Sequence, residues 1–192
     1  MGGELNPRYS IVTPTIQRQS LIACCQSVDS QSCTDWQHVC VVDCEQWNLS
    51  LMAKISHPQR IITKCGHRHN DFGHSCTRNA YHMLTGDYVH RLDDDNILAH
   101  PHVLEQMKVV TADWALFPIE RLGERFFCDP PQYGHVDTGS VLVKREFAQW
   151  TDSTRYEADW DFISKLMAEH PNYQAFPDMD PIMILPVVSR GE

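Results

Sequence analysis

The chain has 192 residues, 42% hydrophobic and 21% charged, proportions that fit one globular domain and exclude a disordered chain. Sixteen basic residues against 25 acidic residues give a formal net charge of -9, which argues against a general binder of the nucleic-acid backbone. An acidic protein holds anionic nucleotides locally, through a metal ion or through helix N-termini.

The sequence pattern predicts neither a targeting segment nor a disulfide framework. No apolar run approaches the roughly 20 residues that cross a bilayer, and the opening MGGELNPRYS lacks the apolar core of a secretory signal. We therefore expect a cytoplasmic protein without a transmembrane segment, with peripheral attachment to a membrane left open. The eight cysteines form no CxxC pair and have no repeated spacing, so reduced and mostly buried thiols are expected.

Strands and helices alternate through the first half of the chain. The hydrophobic patterns predict strands at 9–13, 37–43, 60–63 and 87–92, with helices at 17–30, 49–55 and 75–84 between them. Pro14 is expected to close the first strand, and Gly86 to stop the third helix. The nearly continuous apolar run at 37–43 is typical of a strand buried on both faces. Such alternation implies right-handed βαβ units and a parallel sheet.

The second half is more mixed. Its patterns predict a helix at 101–110, a strand at 114–119, a polar connection at 120–134, a strand at 140–143, an amphipathic helix at 156–168 and closing apolar runs at 173–176 and 182–188. We therefore expect an α/β fold in a single domain over 1–192. Its nucleotide-binding half covers 1–99, and a smaller acceptor-binding half covers 100–192.

Polar residues follow three of the predicted strands directly. These are the triplet at 13–15 after the first strand, Asp43 after the second, and Asp93, Asp94 and Asp95 after the fourth. Ligands of an open parallel sheet bind where the strands end, and adjacent carboxylates can bind a hard divalent cation such as Mg²⁺ or Mn²⁺. The alternative is an acidic turn whose side chains cap the following helix. Taken alone, the three aspartates at 93–95 leave both the metal-site and the capping interpretations open.

Five segments in order resemble the GT-A-fold glycosyltransferases, family 2 in particular, over residues 9 to about 166. They are YSIVTPTIQR, HVCVVD, NDFGHSCTRNAYHMLTGDYVHRLDDDN, TGSVLVKRE and ADWDF. The resemblance implies a GT-A-type, Rossmann-like, mostly parallel sheet flanked by helices, with a smaller mixed acceptor-side portion. It also implies an inverting, hexosyltransferase-type enzyme that moves a sugar from a nucleoside diphosphate, UDP being favoured, to a hydroxyl of a glycan, a lipid-linked or another acceptor.

The resemblance also implies residue roles. Asp93 and Asp95 would bind Mn²⁺ or Mg²⁺, and Asp159 would be the general base that deprotonates the acceptor. Arg78 would face the diphosphate, and Asp43 would contact the nucleobase, where an acid suits the N–H of uracil. The residues implied to bind the nucleotide sugar are Thr13, Pro14, Thr15, Arg18, Asp43, Asn70, Arg78, Asp93 and Asp94.

Some of these roles have simpler alternatives. Asp43 could cap the next segment, Arg78 could lie on a solvated helix face, and Asp159 could favour a helix start through the dipole. Ala158 stands where the family has the first acid of its Glu-Asp pair, so Glu157, Asp159 and Asp161 all remain candidates for the base. His170 is poorly placed to be a late metal ligand.

Other functions remain open at this point. A catalytically inactive nucleotide- or glycan-binding module of the same fold is one alternative. A nucleotidyltransferase is another, although TPTIQRQS lacks the glycine expected of its phosphate loop. The cluster CGHRHNDFGHSC, from Cys65 to Cys76, offers thiols and imidazoles for zinc, but its spacing favours loop histidines near substrate or solvent. The donor sugar, the acceptor and the oligomeric state have no signal in the sequence.

Overall fold

The first half of the chain alternates strand and helix, as the hydrophobic patterns predict. A computed structural model describes residues 7–121, 123–152, 155, 157–179 and 183–185. In chain order its first elements are β1 (Tyr9–Thr15), α1 (Ser20–Asp29), β2 (Trp36–Val42), α2 (Leu49–Lys54), β3 (Arg60–Lys64), α3 (His74–Ala80) and β4 (Tyr88–Arg91).

The second half contains shorter elements. They are β5 (Ile97–Leu98), α4 (Val103–Gln106), β6 (Trp114–Leu116), β7 (Ile119–Arg121), β8 (Glu124–Phe126), β9 (Val141–Lys144), α5 (Ala158–Glu169), β10 (Tyr173–Ala175) and β11 (Met183–Leu185). Single 3-10 turns follow α3 and α4 and flank β9.

A seven-stranded sheet has the order β10-β6-β9-β4-β1-β2-β3. β1 pairs in parallel with β2 and with β4, β2 pairs in parallel with β3, and β10 pairs in parallel with β6. β9 runs antiparallel between β4 and β6. A second, mixed sheet has the order β5-β11-β7-β8. The predicted fold class, a mostly parallel sheet flanked by helices with a smaller mixed portion, is confirmed.

Several predicted boundaries were wrong. β1 continues through Pro14 to Thr15 because its pairing with β4 ends at Val12, and on that side Pro14 has no neighbouring strand that needs its missing N–H. The strand predicted at 114–119 is two strands in different sheets, since β6 ends before Pro118 and β7 pairs with β8. The connection predicted at 120–134 therefore contains the end of β7 and all of β8.

The helices also differ at their ends. Helix α3 ends at Ala80 and its 3-10 turn at Met83, before Gly86 is reached. A Cβ at Gly86 would lie 2.5 Å from the backbone nitrogen of Ser10, so this glycine allows close approach to β1 rather than stopping the helix. The helix predicted at 101–110 begins at Val103 and tightens to a 3-10 turn after Gln106. The predicted helix start at 156 and most of the run at 182–188 lie outside the described residues.

Apolar side chains cover both faces of the main sheet. On one face the α5 residues Phe162, Ile163 and Leu166 are buried, and the Phe162 ring stacks on Trp150 at 4.2 Å between centroids. On the other face Leu104 and Met107 are completely buried. The eight cysteines are free thiols, and most are buried. No helix in the described part of the chain is long and apolar enough to cross a membrane.

Candidate functional site

The carboxyl ends of β1, β2 and β4 meet at one edge of the sheet. In the parallel register Thr15, the last residue of β1, lies beside Val42, the last residue of β2. Arg91, the last residue of β4, lies beside Val12. The polar residues that follow these strands are therefore neighbours, as the strand order predicts. Asp43 and the acidic triplet at 93–95 both lie at this edge.

Asp94 is the buried member of the acidic triplet. Its Oδ2 accepts a 2.6 Å hydrogen bond from the Thr15 hydroxyl, and its Oδ1 accepts one from the Arg18 guanidinium at 3.0 Å. Burial raises the pKa of Asp94 to about 6, although the Thr15 hydrogen bond and the Arg18 charge oppose the shift. These contacts fasten the turn after β4 to the loop after β1.

Asp93 and Asp95 face the surface on either side of Asp94. Their side chains are 34% and 45% exposed, against 6% for Asp94. The turn is closed by the Asn96 amide, which donates to the Asp93 carbonyl oxygen at 3.0 Å. Accessible carboxylates two residues apart, in a tight turn, are a donor set that suits Mn²⁺ or Mg²⁺. Asp95 also accepts a 2.9 Å hydrogen bond from Arg18.

A buried arginine joins the acidic triplet to helix α5. The Arg91 side chain is 3% exposed, and it donates to Asp93 Oδ1 at 2.9 Å and to Asp159 Oδ1 at 3.2 Å. It also donates to the Phe72 carbonyl oxygen at 2.8 Å and lies 3.1 Å from His74 Nδ1. Burial and the Arg91 charge lower the pKa of His74 to about 4, so this imidazole is neutral and accepts from the guanidinium.

Asp159 lies in the first turn of α5, facing this arginine. Its Oδ1 also accepts a hydrogen bond from the Thr138 hydroxyl at 3.2 Å. Asp137 belongs to the same group, and burial together with the Asp159 and Asp93 charges raises its pKa to about 6. Burial likewise raises the pKa of Asp159, against the opposing effect of Arg91. Two carboxylates therefore contact the Arg91 guanidinium, and Asp137 acts on it electrostatically while pairing with Arg121 at 3.7 Å.

The contacts of the other candidate bases differ. Asp161 accepts from the exposed Arg155 guanidinium at 3.1 Å. Glu157 is the residue that precedes the first turn of the helix. Asp159 is the acid that contacts both Arg91 and Thr138. The ring of His170, at the far end of α5, stacks on Phe147 at 3.8 Å between centroids.

Asp43 is held by the loop that follows β3. Its Oδ1 accepts from the His69 amide and from His69 Nδ1, both at 2.8 Å. Burial favours the neutral acid, but the His69 hydrogen bonds outweigh it and hold the pKa of Asp43 below its usual value. Asn70 has a left-handed backbone with φ of 56°, and Gly73 packs so closely on Pro14 that a Cβ would lie 2.5 Å from the proline Cβ.

Two predicted residues make contacts away from the acidic turn. The Thr13 hydroxyl is buried and lies 2.9 Å from His38 Nε2, inside the core. Arg78 donates to Ser75 Oγ at 2.9 Å and to the Thr151 carbonyl oxygen at 3.0 Å. Arg78 thus ties α3 to the segment before α5.

Comparison with known proteins identifies the fold. No family model and no curated protein matches the sequence. S. aureus TarS 1-349 in complex with UDP-GlcNAc is similar in structure, with a TM-score of 0.76 and 13% identity over 96% of this chain. The mannosyltransferase PcManGT from Pyrobaculum calidifontis, in complex with GDP-Man and Mn²⁺, has a TM-score of 0.71 and 16% identity over 97% of this chain. The fold is that of glycosyltransferases.

The likeness covers part of those proteins. The chain spans about 60% of the length of the TarS 1-349 structure and 59% of the PcManGT structure. At these identities the comparison concerns the course of the backbone, and residue roles rest on the contacts described above.

The site also contains residues that sequence reasoning missed. Arg91 has the pattern of an ordinary strand residue, and nothing nearby in the sequence shows that its charge is buried. Asp137 precedes the TGSVLVKRE segment and caps its first turn by accepting from the Gly139 amide at 2.8 Å. Its position just before that segment was the available signal. His69 lies in the histidine-rich loop, where the sequence pattern does not indicate its contact with Asp43.

Proposed function

We propose that the protein is a metal-dependent inverting glycosyltransferase that uses a nucleoside diphosphate sugar, UDP-sugars being favoured. Residues 1–99 bind the donor, and residues 100–192 present a hydroxyl acceptor from a glycan, a lipid-linked saccharide or a related molecule. The proposal is supported by the glycosyltransferase fold, by two similar structures whose ligands are UDP-GlcNAc and GDP-Man, and by the acids at the carboxyl edge of the sheet.

The donor side is built from the ends of β1, β2 and β4. Asp43 offers a charged acceptor to a uracil N–H, with the Asn70 backbone beside it, and Pro14 packs on Gly73 of the same loop. Thr15 and Arg18 hold the acidic turn through Asp94. Asp93 and Asp95 would hold Mn²⁺ or Mg²⁺, which when bound neutralises the charge of the departing diphosphate.

The acceptor side is built around Asp159. As general base, its carboxylate takes the proton of the acceptor hydroxyl while the oxygen attacks the anomeric carbon. The bond between that carbon and the phosphate oxygen breaks, and the nucleoside diphosphate leaves with the electron pair. A carboxyl whose pKa is raised by burial is a better proton acceptor than an exposed aspartate once it is ionised. Arg91 and Thr138 fix its orientation.

One observation carries the proposal. Arg91 contacts Asp93 of the acidic turn and Asp159 of helix α5 at the same time, at 2.9 and 3.2 Å. A single side chain therefore connects the proposed metal ligand to the proposed base. This supports the proposal, because the metal would act on the departing diphosphate while the base activates the hydroxyl that attacks the same sugar.

The first test is nucleotide binding measured by titration calorimetry. UDP and GDP are titrated into the protein with Mn²⁺ and with EDTA, and the experiment is repeated on Asp95→Ala. We expect UDP to bind with Mn²⁺ and to lose affinity in EDTA. The Asp95→Ala variant is expected to bind about 100-fold more weakly, roughly 2.7 kcal/mol. Absence of UDP and GDP binding to folded wild-type protein would contradict the proposal.

A matched control lies at the other end of the same strand. Asp87 is exposed and precedes β4, at the edge of the sheet opposite to Asp95. The Asp87→Ala variant removes the same charge from the protein but is expected to bind UDP as the wild type does. Equal losses in both variants would mean that net charge, and not a site at the acidic turn, governs binding.

A further inference from the structure

Four side chains of metal-ligand type converge beside the proposed nucleobase pocket. They come from Asp43, Cys65, His69 and Cys76, and one ligand atom of each lies within 4.8 Å of the others. The two sulfurs are 2.9 Å apart, and His69 Nδ1 is 2.8 Å from Asp43 Oδ1. Asp43 and Cys76 are buried, whereas Cys65 and His69 are half-buried and open a path to solvent.

The fold explains how residues so far apart in sequence meet. β2 and β3 are parallel neighbours, so Asp43 after β2 and Cys65 after β3 leave the sheet side by side, with the Cys65 amide donating to the Val42 carbonyl oxygen at 3.0 Å. Helix α3 places Cys76 over the same edge, and the intervening loop returns His69 to Asp43. The sequence spacing, which matches no established zinc pattern, does not show this convergence.

The chemistry of the cluster is that of a soft divalent cation site. Thiolate and imidazole are the ligands that Zn²⁺ favours, and a carboxylate oxygen is a common fourth ligand. The Cys65 and Cys76 sulfurs lie 2.9 Å apart, and either thiol could donate to the other. A cation would displace the protons of this thiol pair.

We propose that Cys65, His69, Cys76 and Asp43 bind one Zn²⁺ ion as a structural site. Binding releases the thiol protons to solvent, so that two thiolates, one carboxylate and one neutral imidazole surround the ion. The carboxylate has two oxygens, and ligation through one leaves the other for the proposed nucleobase contact. Tetrahedral coordination at Zn–S distances of about 2.3 Å needs a sulfur separation of about 3.8 Å, which side-chain rotation of the half-buried Cys65 can supply.

The ion would stabilise the loop between β3 and α3, which has an unusual backbone conformation. Asn70 and Phe72 both have φ of 56°, and Gly73 has φ of 82°, so three of four consecutive residues lie in the left-handed region. This loop provides the Phe72 carbonyl oxygen that Arg91 contacts and the glycine that packs on Pro14. A zinc clamp across its two ends would hold the donor side of the site in place without taking part in transfer.

The test is metal content, which does not depend on glycosyl transfer. Tag-free protein, purified without chelator, is analysed by mass spectrometry for zinc, and chelated protein is retitrated with Zn²⁺ or Co²⁺. We expect about one zinc per wild-type chain and a tetrahedral thiolate–cobalt spectrum. The Cys65→Ser and Cys76→Ser variants are each expected to lose at least about nine-tenths of the zinc, because each removes a thiolate ligand.

Control variants separate this site from adventitious metal binding. Cys128→Ser removes a half-buried thiol elsewhere and should keep the zinc, and Asp95→Ala should keep the zinc while losing nucleotide binding. Retitration of chelated wild-type protein gives an answer even where a cysteine variant fails to fold. Wild-type protein that neither contains nor takes up zinc, or peptide mapping that finds a Cys65–Cys76 disulfide in the protein as purified, would overturn the proposal.

Discussion

Burial and neighbouring charges together set the behaviour of the carboxylates at the proposed catalytic centre. The Arg91 guanidinium contacts Asp93 and Asp159, while Asp137 acts on it electrostatically and pairs with Arg121 at 3.7 Å. Burial raises the pKa values of Asp137 and Asp159, the Asp93 charge raises both further, and Arg91 opposes the shift. A divalent cation beside Asp93 would oppose the shift in the same way as Arg91 does.

Asp159→Asn is expected to separate binding from transfer. The amide keeps the size of the side chain but cannot take the acceptor proton, so we expect kcat to fall by about 100- to 10,000-fold. Binding of UDP with Mn²⁺ should stay near the wild-type value, since the acidic turn is unchanged. The measurement is release of UDP from the accepted UDP-sugar in the presence of its acceptor, alongside calorimetry.

The neighbouring acids are the controls for this substitution. Glu157→Gln and Asp161→Asn remove charge from positions beside Asp159 at the start of α5, and both should retain most of kcat. Transfer that survives in Asp159→Asn but is lost in either control would assign the base to that other residue. Circular dichroism of each variant identifies any loss caused by misfolding.

At the scale of elements, hydrophobic periodicity predicts the helices and strands whose pattern is local in the sequence. The helices and strands of the first half were found because each has a clear apolar pattern with turn residues between. The split between β6 and β7 was missed because residues 114–119 form one apolar run, and only pairing with different sheets divides it. The antiparallel insertion of β9 between β4 and β6 is equally non-local, since strand order depends on contacts far apart in sequence.

Substitution of Phe162 measures how much the packing of α5 on the sheet contributes to stability. Its ring is 1% exposed and stacks on Trp150, one turn after Asp159 on the same helix. We expect Phe162→Ala to lower the free energy of unfolding by about 3–5 kcal/mol through lost burial and the cavity left behind. Urea unfolding followed by circular dichroism measures the change. Phe126→Ala deletes the same ring from a position that is 46% exposed, and its effect should stay within about 0.5 kcal/mol.

At the scale of the whole molecule, strand order predicts part of the candidate site, and the rest depends on how distant segments fold together. The acids after β2 and β4 were predicted together because the carboxyl ends of parallel strands share an edge. Arg91 and Asp137 were not predicted, since burial of a charge depends on how α5 and the turn before β9 fold over the sheet. The convergence of Asp43 with the histidine- and cysteine-rich loop was not predicted either, because sheet pairing determines its geometry.

Histidines buried as neutral side chains make the stability of the whole protein sensitive to acid. His90 lies in β4, is completely buried and contacts the Val141 carbonyl oxygen through Nδ1 at 3.1 Å. Burial lowers its pKa to about 4, from an ordinary value of 6.5. Between about pH 4 and 6.5, His90 is therefore protonated in the unfolded chain but neutral in the folded chain. The free energy of unfolding is not reduced by this group above pH 6.5, and it decreases as the pH falls from 6.5 towards 4.

His90→Leu isolates this contribution from those of other groups. Asp94 and Asp137 act in the opposite direction, because pKa values raised to about 6 make the fold lose stability as the pH rises from about 4 to 6. Comparing wild type with His90→Leu cancels them. Between about pH 7 and pH 5 the wild type should lose about 2 kcal/mol more unfolding free energy than the variant, measured by urea unfolding at both values. The control variant His135→Leu, at an exposed position, should lose the same unfolding free energy as the wild type. Equal losses in the wild type and in His90→Leu would show that the buried imidazole is not the acid-sensitive group.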